Sequence, residues 1–512
     1  IYAGAWRNTI CMLADDGNRN IHMEDAEDIN KQTEMLNPNM RIKKIYWDSY
    51  TRVQTATGNT YPVAYSDINK QMEEGALIMN YTGHGAAYCL SHEQVLKRHD
   101  FENWDSSRLP LWIHAACDVS PFDMDVENIG ETALCNPKGG AMGVLSTTRT
   151  VYSTQNRTLN KLFMKHVLSS ETLTIGEALQ RAKSEINTGS YREKINKCHF
   201  VLLGDPAIRL IHAEDKLQIN EFNGHEVTDK TDTIGAGSSV TVKGFIVDDN
   251  GMKDTSFNGI IVPTLFDCEE NVTCKNNARE DVQPYKFKQR NKTLYEAINT
   301  VKNGEFEFTF IVPLDITYSS NNALITLYAT SDDNQREFNG RFAKFVLMGT
   351  GDIKNDSIGP IINLILHDEG FTTNGAKTDE VVFWASHAKP QMPVIKVELN
   401  DTNGINCSGL SLGHDIIVAL DNSPALTYTL NSNFQYDEGS HTRGKLEYTI
   451  PSLSVGTHTL LFRAWDIFNN SSSIIVTFDV AEDYDNVRIF DLAGHEIWNG
   501  NGKGYVNTLP KG

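Results

Sequence analysis

The 512-residue sequence predicts an α/β domain followed by all-β, immunoglobulin-like sandwich domains. Three observations predict it. Apolar runs and amphipathic segments alternate through residues 1–212. Beyond residue 213 the helical periodicity fades, and short alternating runs between Gly, Asn and Asp clusters take over. A polar stretch, GTGDIKNDSIGP (349–360), then separates two such β sets. The expected division is an α/β domain at 1–212, a β-sandwich at 213–350, an immunoglobulin-like sandwich at 351–482, and the start of a further β unit at 483–512. A prior of roughly 150 residues per domain agrees with three or four units.

In chain order, TICMLAD (9–15) and RIKKIYW (41–47) read as strands. SDINKQMEEG (66–75) reads as a helix with a Ser/Asp N-cap and a Gly C-cap. ALIMNYT (76–82) and PLWIHAAC (110–117) follow as buried strands, ENIGETALC (127–135) as a helix, and GGAMGVLSTT (139–148) as a strand. NRTLNKLFMKHVL and TIGEALQRAKSEI carry apolar residues at three- and four-residue spacing, and FVLLGDPAIRLI (200–211) closes the region. Strands alternating with helices imply a mostly parallel sheet covered on both faces. Downstream, SVTVKGFIVDD, GEFEFTFIVP, NALITLYATSDD and RFAKFVLMG form one β set, and IINLILHD, VIKVELND, HDIIVAL, KLEYTI and THTLLFRAWD another. The closing NVRIFDLAGHEIW supplies one hairpin, too little to close a core, so we read the C-terminus as cut.

Hydrophobic residues make up 40% and charged residues 22%, the balance of a folded protein. The net charge of −20 argues against a nucleic-acid partner, which would need a basic face. No run reaches the ~20 apolar residues of a membrane-spanning helix. The chain begins inside a strand without Met, and we read it as a processed or trimmed product whose address lies upstream. Eight cysteines are too few for a disulfide framework. Cys268 and Cys274 are near enough for a local disulfide, and two free surface thiols are the plain alternative.

Two strand ends carry chemistry. ALIMNYTGHG ends at Gly83-His84-Gly85, where glycines let other groups approach the imidazole. PLWIHAAC ends at Cys117, 33 positions on, which leaves room for a parallel crossover. Functional groups gather at the carboxyl ends of parallel strands. If these strands are neighbours, His84 can take the Cys117 thiol proton and stabilise the thiolate. His114 is the rival base. It lies three residues before Cys117 on the same strand, hence on the opposite face, and reads as packing. Cys89, Cys135 and Cys198 read as structural. Asp15 and Asp16 end the first strand at the same sheet edge and could orient the histidine, Asp16 being the better placed. By themselves they read equally well as a turn, DDGN.

NYTGHG and AACDVSPFD, in this order, closely resemble the catalytic His and Cys motifs of the gingipain family of cysteine peptidases, which have a caspase-like fold. LADDGN resembles the segment holding the acidic third residue and places that role on Asp16. KIYWDSY and LLGDPAIRL resemble the next strand and the domain's closing strand. The resemblance covers residues 1 to about 212, and the family's amino-terminal subdomain is missing. By family analogy, the backbone N–H groups of Gly85 and Cys117 form the oxyanion hole. Among Glu24, Asp25, Glu27 and Asp28, Asp25 aligns best with a carboxylate that binds substrate in arginine-cutting relatives; a solvated helix start is the alternative. No loop has a clear calcium-ligand pattern, although structural calcium suits an acidic secreted peptidase.

Within the family, three features are similar to the type IX secretion signal peptidase (sortase) branch: the long β tail, the segment VRIFDLAGHEIW, and CDVSPFD in place of CVNGDF. That resemblance implies an enzyme on the outer face of the bacterial outer membrane, beside a β-barrel partner of the PorV type. It would remove the C-terminal sorting domain of secreted cargo and pass the acyl group to anionic lipopolysaccharide. A secreted gingipain-like endopeptidase and a catalytically silent scaffold are the competing expectations.

Overall fold

A computed structural model describes residues 4–481 except 57, 172, 291, 352–355, 374–379 and 409–412, together with the backbone of 487–490 and 496–500. Its α/β part is built on six strands: β1 (Thr9–Ala14), β2 (Arg41–Tyr46), β3 (Ile78–Thr82), β4 (Leu111–Ala115), β5 (Gly143–Thr147) and β6 (Phe200–Gly204). They lie in the order β6-β5-β4-β3-β1-β2. Every pairing is parallel except β5 with β6. Burial on both faces explains the unbroken apolar runs. Along β1, Ile10, Met12 and Ala14 point into one core, while Cys11 and Leu13 point into the other.

Helices α1 (Ile21–Leu36), α2 (Pro62–Glu74), α3 (Arg98–Asn103), α4 (Ile129–Cys135), α5 (Ser153–Val167), α6 (Ile175–Glu185) and α7 (Tyr191–His199) connect the strands. Residues of α1, α5 and α6 fill the first core; residues of α2, α3 and α4 fill the second. The expected Ser/Asp cap of α2 is not its start. The helix begins four residues earlier, with Pro62 at the first position, where its missing N–H costs nothing. Gly75 does cap it, with φ 85°.

The β-rich part begins with a sheet of ten strands. Two five-stranded sheets follow between residues 361 and 480. One continuous hydrophobic core runs from Leu217 to Val480 through both β regions. In the 483–512 segment the described backbone is a single hairpin, Val487–Phe490 with Glu496–Gly500; the remainder of that expected unit lies outside the described residues. No described helix is long and apolar enough to cross a membrane.

The first β region, before residue 351, grips the α/β domain. Arg7 and Glu337 form a buried ion pair at 2.6 Å. A hairpin, Glu270–Thr273 with Lys286–Gln289, lies across the α1 side of the sheet. Its Phe287 ring packs on Tyr46 at 4.7 Å, and Asp48 accepts backbone N–H bonds from Asn276 (2.8 Å) and Asn277 (2.7 Å). Cys268 and Cys274 are free and buried, neither bridged nor at the surface. Cys274 Sγ instead sits 3.6 Å from Met23 Sδ in the interface.

Candidate active site

The two strand ends are neighbours. β3 and β4 pair in parallel with Thr82 opposite Ala115, so His84 and Cys117 each lie two residues beyond the ends of neighbouring strands. Gly83 N–H donates to Ala115 O at 3.4 Å. Gly85 closes the gap. A Cβ there would lie 2.6 Å from Val119 Cγ2 and 2.9 Å from Ala116 Cβ, closer than real Cβ atoms approach, and 3.0 Å from Cys117 O. The glycine thus lets the two segments pack together. Asp118, directly after Cys117, holds φ 53°, a left-handed conformation costly for a residue with a side chain. The turn it makes sets the thiol at the strand end.

Cys117 Sγ is half-buried and held by backbone. Val151 N–H donates to it at 3.4 Å, and the thiol reaches Val151 O at 3.4 Å. Burial pushes this thiol above its ordinary range, and the Val151 N–H partly offsets that. Burial and His92 push His84 down, while Asp16 favours its charged form. Both groups therefore rest neutral near pH 7. Among the described residues no hydrogen bond joins them, as is common before substrate tightens a catalytic pair.

His84 is occupied elsewhere. Asn18 Nδ2 donates to Nε2 of His84 (2.9 Å) and to Nε2 of His22 (3.2 Å). His92 stacks on the His84 ring at 4.2 Å, and His22 meets it edge-on at 4.9 Å. The carboxylate bonded to His84 is that of Asp15, which accepts the His84 backbone N–H at 3.0 Å. Asp16 is buried and accepts from Tyr61 Oη at 2.6 Å, with Arg52 at 4.0 Å. It acts on the imidazole through charge, without a hydrogen bond to the ring. Asp15, Asp16 and Glu93 cluster. Burial and Asp16 push Glu93 up to about 7, and the same two causes push Asp15 well up.

The other sequence candidates separate cleanly. His114 is fully buried among Phe101 and Trp112, and burial pushes it down to about 3, a packing residue as expected. Asp25 is 1% exposed. It accepts from Ser153 Oγ (2.6 Å) and pairs with Arg157 (3.1 Å), which ties α1 to α5 and leaves the carboxylate no open surface. Glu27 pairs with Lys44, and Asp28 with Lys161. Of the four acids, Glu24 is the exposed one. It lines a groove of about 850 Å³ between α1 and the clamping hairpin, with Arg19, Asn20, Asp281 and Gln283. Far from this site, Asp356, Asp401 and Asp466 converge, although no calcium pattern was legible in the sequence. Burial holds Asp401 up at about 7 and Asp466 at about 6.

Asn18, His22, His92, Glu93 and Val151 were not anticipated. The one available signal was SHEQ (91–94), a His-Glu pair shortly after the GHG turn. Asn18 and Val151 come from other loops and leave no local signature.

A thiol and an imidazole at adjacent parallel strand ends are the arrangement of a cysteine peptidase. Residues 2–211, the α/β domain, match the model of Peptidase family C25, the gingipain family of cysteine peptidases. Among solved structures, dimeric latent PorU from Porphyromonas gingivalis is 26% identical, over 73% of this chain and 37% of that one, with a TM-score of 0.34. The Arg-specific cysteine proteinase gingipain R is 14% identical, over 67% of each chain, with a TM-score of 0.34. This chain spans little more than a third (37%) of the PorU chain. No curated protein sequence matches it.

Proposed function

We propose that the chain is a cysteine peptidase with transpeptidase (sortase) capacity, built on a caspase-like α/β domain. The observation that carries the reading is the β3–β4 pairing, which brings the strand ends bearing His84 and Cys117 side by side, with Gly85 close to the Cys117 carbonyl. Because both groups rest neutral, His84 takes the thiol proton as Sγ attacks the scissile carbonyl carbon. The Sγ–C bond forms, and the C–N bond then breaks as His84 returns its proton to the leaving amine. N–H groups of Gly85 and Cys117 receive the oxyanion, each such donor giving roughly 10²–10³ in rate. Asp16 stabilises the transient imidazolium, and Tyr61 fixes its carboxylate. The exposed Phe122, Met124 and Val126, just beyond Cys117, offer an extended substrate an apolar surface.

The finer reading rests on the sequence motifs. The substrates are secreted cargo proteins bearing C-terminal sorting domains, cut at the cell surface on the outer face of the outer membrane. A PorV-type β-barrel is the membrane partner and anionic lipopolysaccharide the acceptor. Whether water or an amine resolves the thioester decides between endopeptidase and sortase. Purified chain incubated with a cargo C-terminal domain and an added amine, followed by mass analysis, tests this. Cleavage with amine adducts supports the proposal, and cleavage with water addition alone supports the endopeptidase. No cleavage, or cleavage that survives Cys117→Ala, overturns the assignment of the nucleophile.

A further inference from the structure

We propose that Asp15, His22 and His84 form a binding site for a divalent transition-metal ion of the zinc class. One ligand atom from each lies within 4.8 Å of the others. Tetrahedral bonds of ~2.0–2.1 Å would bring such atoms to roughly 3.4 Å apart, a modest contraction. The three come from rigid places: the end of β1, the first turn of α1 and the end of β3, and β1 and β3 are neighbours in the sheet.

Two independent observations point to a ligand. Asp15 is 1% exposed, yet its Oδ1 has no hydrogen-bond partner. Buried polar atoms of this kind are rarely left unsatisfied in a folded protein. In addition, Nε2 of His22 and Nε2 of His84 converge on a single point, now filled by the amide nitrogen of Asn18. Two ring lone pairs aimed at one donor form half of a tetrahedral nitrogen–oxygen site. Asn18 lies in the loop joining Asp15 to His22, and Asn18, Arg19 and Asn20 all hold left-handed φ (48°, 58° and 68°). Relaxing that loop releases strain as it clears the point. Asp16 and Glu93, clustered with Asp15, supply negative charge beside a dication.

Two imidazoles and a carboxylate suit Zn²⁺ better than Ca²⁺ or Mg²⁺, which take oxygen ligands. The site excludes Cys117, which separates it from the thiol–imidazole chelation open to any cysteine peptidase. Occupancy would engage His84 and so hold the base out of catalysis. The inference rests on the trio alone and stands whether or not the chain is a sortase.

The test uses the full chain carrying Cys117→Ala, freed of metal by chelator and titrated with ZnCl₂ in a calorimeter. One ion binds per chain, and His22→Ala in that background weakens binding at least ~10-fold. His22→Gln, closer in shape, does the same while its melting temperature reports folding. Co²⁺ in the Cys117→Ala protein shows paramagnetically shifted imidazole N–H signals from two histidines, a readout that needs no further variant. Absence of binding in Cys117→Ala, affinity unchanged by both His22 substitutions, or no shifted imidazole signals would overturn the site.

Discussion

The two strand ends of the candidate site are built in opposite ways. At β4, Cys117 is held by backbone: Val151 N–H and O flank the sulfur, and the left-handed Asp118 sets the turn. At β3, His84 is held by side chains: Asn18, His22 and His92 surround the ring, and Asp15 anchors its N–H. Cys117 is thus placed by its own strand and the next loop. His84 is placed by residues from three segments, and one of them is fixed by the clamping hairpin. Arg19 N–H donates to Glu280 at 2.6 Å, and Asn20 Nδ2 to Gln283 O at 3.0 Å. Backbone placement is stiff. Side-chain placement can be reset, so regulation and pH dependence belong on the histidine side.

The stiff side breaks most severely. Gly85→Ala puts a methyl against Ala116 and the Cys117 carbonyl and pushes apart the two strand ends with their oxyanion donors. We expect kcat to fall roughly 10²–10³-fold, the cost of one lost donor. The helical and sheet content measured by circular dichroism should stay unchanged. A loss below about threefold would detach Gly85 from the chemistry.

What the sequence disclosed follows the same division. The β3 and β4 runs are apolar because both sheet faces are covered, so the strands themselves and the positions of His84 and Cys117 just beyond them were readable from one dimension. His114 could be set aside from strand alternation alone. The neighbours of His84 could not be read, because Asn18 lies 66 residues from it and the hairpin holding that loop lies about 260 residues away. Asp25 shows the same limit in reverse. Its position in the sequence fits a substrate carboxylate, but Ser153 and Arg157, 128 and more residues distant, enclose it. Cys274 looked like a surface thiol because nothing local announces Met23 beneath it.

The acid cluster makes the histidine side pH-dependent. Glu93 binds its proton more tightly in the folded chain, at about 7 against an ordinary 4.5. A carboxyl raised on folding gives the native state more bound protons, so its contribution to stability is present below about pH 4.5 and is lost as pH rises towards 7. Glu93→Gln removes that loss. After discounting for its partial exposure, we expect the variant to gain about 1–2 kcal/mol on the parent between those limits. Urea melts at a series of pH values measure it. A constant difference between the two proteins across the window would show that Glu93 does not carry the shifted proton.

The smallest effect is the most informative about the resting state. Asn18 donates to His84 Nε2 and so occupies the lone pair that takes the thiol proton in the proposed reaction. Asn18→Gly removes the donor, and glycine adopts φ 48° freely, so the loop keeps its path. A hydrogen bond of this kind is worth about 0.5–1.5 kcal/mol, equivalent to a two- to tenfold rise in kcat/KM. The pH profile adds a signature that packing changes do not give. Because the Asn18 bond favours the neutral ring, its removal should move the acidic limb of kcat/KM to higher pH. Alkylation of Cys117 by iodoacetamide, followed across pH, reports the same limb without a peptide substrate. If rate and limb both stay where they were, Asn18 leaves the histidine in exchange with solvent, and the contrast between a backbone-held thiol and a side-chain-held base loses its functional meaning.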